Sequence, residues 1–554
     1  MNVRSSPQTA VFVSGSLMGH VAVMTGTGAI GLMAIFVVDL LSLLYVSWLG
    51  RPEATAGVGF ATIVLYLMIS INIGLMIAVS ALTARALGAG DRAGARRIAA
   101  STLVLMALAA LALTAIALPA LPWLLRLLGA HDESYRVALS FLWIVLPSNA
   151  LMAVGMGLSG VLRAVGDARR AMFVTLGGGL VTAGLDPLLI FGLGLGPDGA
   201  AWAIVISRIV IVATGLHGAV RVHDMVARPS LAGVRRDSAS TFAIAGPAIL
   251  TNLSNPIANA VFAGVFARFG DSAMAALAIM DRLVPVAFGV LFALTGAVGP
   301  ILAQNWGAGR FDRMRAGLTA SVQFAIGCVV ISGAVLALAR GPIADAFGAT
   351  GLTAELLTFF CLVAGPMWVF VGLLFVANAA FNNLGMPLLS TLFSWGRATL
   401  GTIPLAWLGA HYAGPKGALV GSALGAVAFG VLALVFAYRG ITRLERKANG
   451  GCPRAGRGLP RPPARWRRGV SPHPPCGGGG GGAWCPPLPS FPPPPPAAAP
   501  PPPPRPGTGP RPVPGRSRWA ARPRWPHACR RRRRRPAPPR ANRTAPRTWP
   551  ASGR

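Results

Sequence analysis

Apolar runs of 20 residues or more recur along the first 440 or so positions, separated by short polar breaks. That spacing predicts a row of membrane-spanning helices. Twelve are expected, at about 16–48, 54–84, 98–125, 135–161, 171–195, 199–220, 241–267, 272–302, 317–339, 353–381, 388–410 and 415–438. Several are longer than a bilayer requires, which implies tilted or protruding ends.

The breaks carry a repeat. Gly88-Ala89-Gly90 returns as Gly307-Ala308-Gly309, Arg96 as Arg315 and Gly129-Ala130 as Gly348-Ala349, and Pro147 and Gly166 return as Pro366 and Gly385. Every pair is offset by the same number of residues, so the chain reads as a duplication. The expected fold is an all-α integral membrane protein of twelve transmembrane helices in two six-helix bundles. These are 1–220 and 241–447, joined by a cytoplasmic linker loop at 221–240 and followed by a disordered Pro/Gly/Arg-rich tail at 448–554. Paired bundles about a central site are a common plan for secondary transporters.

Composition agrees: 53% of residues are apolar and only 12% charged, too few charges for a soluble chain of this length. The net charge of +34 would suggest nucleic acid, but its distribution argues otherwise. From Ala448 onward about 22 arginines occur with no Asp, Glu or Lys, and the remainder carries about +12. No nucleic-acid partner is therefore expected. The tail cannot bury a core, and its G/C-codon-rich composition suggests a dispensable extension. Its four cysteines lack metal-ligand spacing. The first apolar stretch runs straight into the bundle, so no cleavable signal peptide is expected.

Orientation follows from the basic loops. Loops after even-numbered helices carry Arg85, Arg92, Arg96 and Arg97, then Arg163, Arg169 and Arg170, then Arg221, Arg228, Arg235 and Arg236, then Arg310, Arg313 and Arg315. Both termini are expected in the cytoplasm, with the 221–240 loop as hinge.

Ionisable residues inside spans are functional candidates by default. Here they are Asp39, Asp186 and Arg208 in the first half, and Asp281 and Arg397 in the second, with Arg282 beside Asp281. Counting inward from the helix ends puts the first three roughly 14–15 Å below the outer surface, at one depth. An Asp186–Arg208 ion pair is one reading. One Arg cannot neutralise two carboxylates, however, so one of them must take up a proton, bind a cation or face water, and Asp39 is the expected coupling site. In the repeat, Asp39 aligns with Asn259, and Asp186 with Leu405 or Pro404, which places coupling in the first half. Asp281 is expected to pair with Arg397 or Arg282 as a packing device. Asn72, Ser148, Asn149 and Thr182 are candidate supporting polar residues, and Gly26 and Gly28 a candidate hinge in helix 1. Met and aromatic side chains of helices 7, 8 and 10, among them Phe288, Phe292, Trp368 and Phe375, offer an adaptable apolar surface. No catalytic constellation or metal motif is evident, so an enzyme is not expected.

Several stretches resemble the multidrug and toxic compound extrusion (MATE) transporters: Val38-Asp39, Ser47-Trp48-Leu49-Gly50, Ser80 to Asp91, Leu127 to Ala130, Leu162 to Asp167, Asp186 to Gly194, and Gln304 to Ala308. The match covers roughly residues 10–447. The resemblance implies a twelve-helix exporter of drugs or toxic organic, often cationic, compounds in exchange for H+ or Na+. It also implies a monomer in a bacterial inner membrane, without a cofactor beyond the coupling ion. Asp39 and Asp186 fall on the amino-lobe cation site of the DinF-like branch, while the second-half carboxylates of the NorM-like branch have no match. Thr182 stands where the family often has Asn, which favours H+ over Na+. The helix 1 proline of some members is absent. The alternative is a lipid-linked oligosaccharide flippase of the same superfamily, for which more cavity cations would be expected.

Overall fold

The computed structural model describes residues 10–450. The expected tail lies outside the described residues, apart from 448–450, which prolong the last helix. All of the described residues fall in one compact unit.

The twelve expected spans are all present as helices: α1 (Leu17–Ser47), α2 (Pro52–Gly88), α3 (Arg92–Leu127), α4 (Asp132–Val165), α5 (Ala168–Gly192) and α6 (Pro197–Val222) form the first half. The second half holds α7 (Leu231–Phe269), α8 (Asp271–Gly307), α9 (Phe311–Ala346) and α10, which is Gly351–Ala364 and Trp368–Asn383 bent by 55°. The last continuous helical stretch, Pro387–Asn449, is two spans, because Ala413 and Gly414 leave helical geometry. We label these α11 (387–412) and α12 (415–450). They fold back as a tight hairpin. A Cβ at Gly421 would lie 1.9 Å from the Leu405 carbonyl oxygen, and one at Gly425 would lie 2.3 Å from that of Gly401. Small residues at every fourth position give this close approach.

The repeat marks are helix stops. Gly90 (φ 77°) and Gly309 (φ 67°) take the left-handed conformation that ends α2 and α8. In each, the next amide bonds back to the helix, Asp91 N to Ala86 O at 3.0 Å and Arg310 N to Asn305 O at 2.8 Å. This is the Schellman pattern, and Gly129 and Gly348 end α3 and α9 with the same bonds. Asp91 and Asp167 then cap α3 and α5, accepting from Gly94 N at 2.7 Å and Arg170 N at 3.0 Å.

The loop between α6 and α7 is shorter than expected, because α6 runs to Val222 and α7 already begins at Leu231, taking in Arg235 and Arg236. It is also fastened to the first half. Met225 is buried, Arg92 donates to the His223 carbonyl at 2.7 Å, and Arg96 pairs with Asp224 at 2.7 Å.

The halves meet at the end that carries the basic loops. There, one core cluster of the second half takes in Phe12, Val21, Met24 and Ala168, and a core of the first half takes in Ile244 and Ala245. At the opposite end, a cluster running from Val46 through Phe141 to Ala201 draws on first-half helices alone. The halves thus close at the basic end and part toward the other.

Candidate functional site

Small residues bring α1 against α5. A Cβ at Gly31 would lie 2.5 Å from Thr175 Oγ1, and one at Gly179 would lie 3.4 Å from Val38 Cγ2. The two helices run the same way, so the contact continues to Ser42, whose hydroxyl donates to Asp186 Oδ2. Asp186 is fully buried, and its other oxygen, Oδ1, has no hydrogen-bond partner. It stands where α5 passes into a π-helical turn, Leu188–Gly192, immediately before Pro187. Such turns recur at functional sites. Asp39 lies one turn before Ser42, on the α5-facing side of α1. It is exposed there and close enough for its charge to act on Asp186. Thr182, one turn before Asp186, is buried and bonds its own helix at Gly178 O, 3.2 Å away.

Arg208 does not join them. Its guanidinium donates to the Val145 carbonyl at 2.9 Å and to Ser148 Oγ at 2.8 Å. The reason is a break in α4 at the 3₁₀ turn Leu146–Ser148, where the Asn149 amide bonds Leu146 O instead of Val145 O. A helix end with a freed carbonyl attracts a cation, and Arg208 fills that role. Asn149 and Asn72 belong to the same break. Asn72 Nδ2 donates to Asn149 Oδ1 at 3.0 Å, and Asn149 reaches Thr114 Oγ1, which in turn donates to Leu146 O at 3.3 Å. The polar candidates therefore divide into two groups, Asp39, Thr182 and Asp186 on α1 and α5, and Arg208, Asn72 and Asn149 at the α4 break.

The Asp186–Arg208 ion pair is thus not formed, and among the described residues neither Asp39 nor Asp186 enters any ion pair. Two carboxylates share a site without a protein cation. The Asp281–Arg397 pairing is absent as well: Arg397 donates to Asn255 Oδ1 at 2.7 Å, while Asp281 and Arg282 are both exposed. Helix α1 passes through Gly26 and Gly28 without a break, with Gly28 packed toward Ala293 of α8. Ser42 is the site residue missed from sequence; its signal is the three-residue spacing after Asp39. In the second half, Phe288 and Trp368 stack at 5.1 Å and Phe292 leans on both Trp368 and Phe375.

A twelve-helix bundle built of two repeated halves, with a buried carboxylate and a second one beside it in one half, defines a membrane transporter. The MatE family model matches it twice, at residues 29–188 and 247–408, once in each half, and the chain belongs to that family. The FAD transporter of Shewanella oneidensis is 31% identical over 74% of this chain and 92% of its own length. The multidrug export protein MepA of Staphylococcus aureus is 27% identical over 33% of this chain and 41% of its own. Among solved structures, an outward-facing multidrug resistance MATE transporter superposes with a TM-score of 0.75 at 21% identity, covering 80% of this chain and all of the other. The bent form of the Vibrio cholerae MATE transporter VcmN gives 0.74 at 24% identity, over 78% and 98%.

Proposed function

We propose that the protein is a secondary active antiporter that exports small organic compounds in exchange for protons taken up at Asp39 and Asp186. One observation carries this reading. Asp186 is fully buried with a single hydroxyl donor, Ser42, and a second carboxylate beside it, and among the described residues no cation is paired with either. Buried charge without a partner is costly, so the pair demands a proton or a metal cation that comes and goes. Thr182, whose hydroxyl donates to its own helix at Gly178 O, brings no amide oxygen to the site for Na+, which favours H+. The cycle then runs by alternating access. With the basic end in the cytoplasm, the arrangement here faces outward, where protons enter and cargo leaves.

Two relatives bear on the cargo. The MepA likeness supports drug-like compounds, whereas the Shewanella protein matches over nearly its whole length and supports a flavin dinucleotide as a second reading. The half-buried rings of Trp368, Phe292 and Phe375, with buried Phe288 stacked behind Trp368, suit a planar aromatic group in either case.

Efflux from proteoliposomes against an imposed pH gradient tests the reading, with ethidium and FAD as alternative cargoes and with Na+ present or absent. Asp39→Asn and Asp186→Asn are expected to reduce gradient-driven efflux to background at near-normal protein levels. Unchanged efflux in both variants would remove the site from this half. Dependence on Na+ alone would keep the site and replace the ion.

A further inference from the structure

The segment before α1 belongs to no span, yet its Phe12 is 1% exposed. It forms a single 3₁₀ turn, Val11–Val13, wedged between the two halves at the basic end. The Phe12 amide donates to Gln304 Oε1 at 2.9 Å, and the Nε2 of the same Gln304 donates to the Ala164 carbonyl at 2.7 Å. Gln304 is at the end of α8 and Ala164 at the end of α4, so one side chain ties this segment to both halves. The Phe12 carbonyl accepts from Asn305 at 3.1 Å and from Arg313 at 3.2 Å, and Arg313 also donates to the carbonyls of Ser14 and Gly15, each at 3.0 Å. On the first-half side, a Cβ at Gly166 would meet Val11 Cβ at 3.3 Å and the Phe12 ring at 3.4 Å.

We propose that residues 11–15 are a latch. They hold the basic end shut, and α1 carries movement at the Asp39–Asp186 site to them. Apart from His20 of α1, whose Nε2 lies 2.9 Å from the Ser14 carbonyl, the side chains bonded to the latch backbone among the described residues belong to α8 and α9 in the second half, so opening the basic end breaks these bonds. The seal beneath is close-packed: Ala84, Ala164 and Ala303, from both halves, form one buried cluster, and Arg85 lies 3.4 Å from the centroid of the Trp306 ring. The latch leads directly into the helix. Ser16 caps α1, accepting from Gly19 N at 3.2 Å, and α1 then runs unbroken past Asp39 and Ser42 to Ser47. A continuous helix transmits a shift along its length. Displacing α1 from α5 when the carboxylates change charge therefore pulls on Phe12.

The test reads the seal directly and needs neither cargo nor an ion gradient, so its failure is separable from failure of the coupling reading. In a chain whose own cysteines are replaced, Ala303→Cys is probed with a membrane-impermeant maleimide in inside-out vesicles. Phe12→Ala is expected to raise the labelling rate ~10-fold or more, while Phe12→Leu keeps it near the parent rate. Should Phe12→Ala fail to fold, Gln304→Met removes both bonds at similar side-chain length and is expected to act the same way. Asp39→Asn should alter labelling in the parent but not in the Phe12→Ala background. Parent-like labelling in folded Phe12→Ala or Gln304→Met protein overturns the latch. So does an equal rise at Leu142→Cys in the core of the opposite end, labelled in right-side-out vesicles where the reagent reaches that end, which would report general loosening. An Asp39→Asn effect of the same size in both backgrounds overturns the link through α1.

Discussion

Replacing Gly88 by Ala should force the halves apart at the basic end. A Cβ at Gly88 would lie 2.0 Å from the Gln304 carbonyl oxygen and 2.7 Å from the Gln304 Cα. The obstacle is helix backbone and cannot swing aside. A carbon and a carbonyl oxygen need about 3.3 Å, so α2 and α8 must separate by about 1.3 Å. Overpacking of this kind costs about 1–3 kcal/mol. Alanine also favours helix by about 1 kcal/mol, but α2 is helical whether the gate is open or shut, so that gain cancels from the gate equilibrium. The closed state should lose about 5–150-fold in population relative to the open one. Gly307→Ala should behave alike, because its Cβ would lie 2.1 Å from the Arg85 carbonyl oxygen, the mirrored contact. Gly59→Ala, on the same helix with nothing within 4 Å, is the control. The assay is maleimide labelling at Ala303→Cys in inside-out vesicles, alongside transport in proteoliposomes. The reasoning fails if Gly88→Ala and Gly59→Ala label and transport alike.

Arg208→Met should lower thermal stability in detergent by about 1.5–3 kcal/mol, the worth of hydrogen bonds from a charged group, while the proton-to-substrate ratio stays unchanged; an altered ratio would return Arg208 to the coupling site. At the basic end, burial works against the charge of Asp167, but hydrogen bonds from His223 and from the amide and guanidinium of Arg170 override it and hold the carboxyl well below the usual carboxylate range. A lowered folded-state value stabilises above the unfolded value of about 3.9 and is lost as pH falls below it. The melting difference between parent and Asp167→Asn should therefore be full at pH 5 and above and shrink progressively as pH falls below about 4, and a gap of constant size across that range would refute this. Truncation after Lys447 should leave insertion and transport intact, since all twelve helices except the last residues of α12 are retained; normal insertion with lost transport would give the tail a role.

The spans were legible because lipid leaves a backbone no alternative to helix, and long apolar runs record that directly. The breaks inside spans were legible only in part. Pro147 and Pro366 stood out as a repeated pair, and an internal proline removes a helix hydrogen bond. Both sit at interruptions, the 3₁₀ turn Leu146–Ser148 in α4 and the bend between Ala364 and Trp368 in α10. Side-chain partners were not legible. Counting residues gives depth but not direction around the helix, and so Arg208, though level with Asp186 by count, turns to the Val145 carbonyl. The α6–α7 linker was drawn too long because Arg235, Arg236 and Asp237 read as loop, whereas Asp237 anchors the start of α7 to Arg97 at 3.4 Å.

The two copies agree where the machine needs both and differ where it needs one. Closing the basic end is a contact between halves, so each copy must supply the same part: Gly88 against Gln304 and Gly307 against Arg85 are a single contact seen twice, with Ala84 and Ala303 beside it. A change on one side alone would open that seal, which keeps the glycines paired. Holding an exchangeable ion, as proposed for Asp39 and Asp186, is different, since it would take place within one half, between α1 and α5, and one site can bias a single closure. Asp39 and Asp186 therefore need no mirror images. Asn259 and Leu405 or Pro404 stand at the corresponding positions, and Arg397 of α11 is held by Asn255 of α7. A second acidic site would require a second ion per turn of the same gate; on the proposed cycle, the second half is left to the half-buried Phe292, Trp368 and Phe375 of α8 and α10, proposed above to meet cargo.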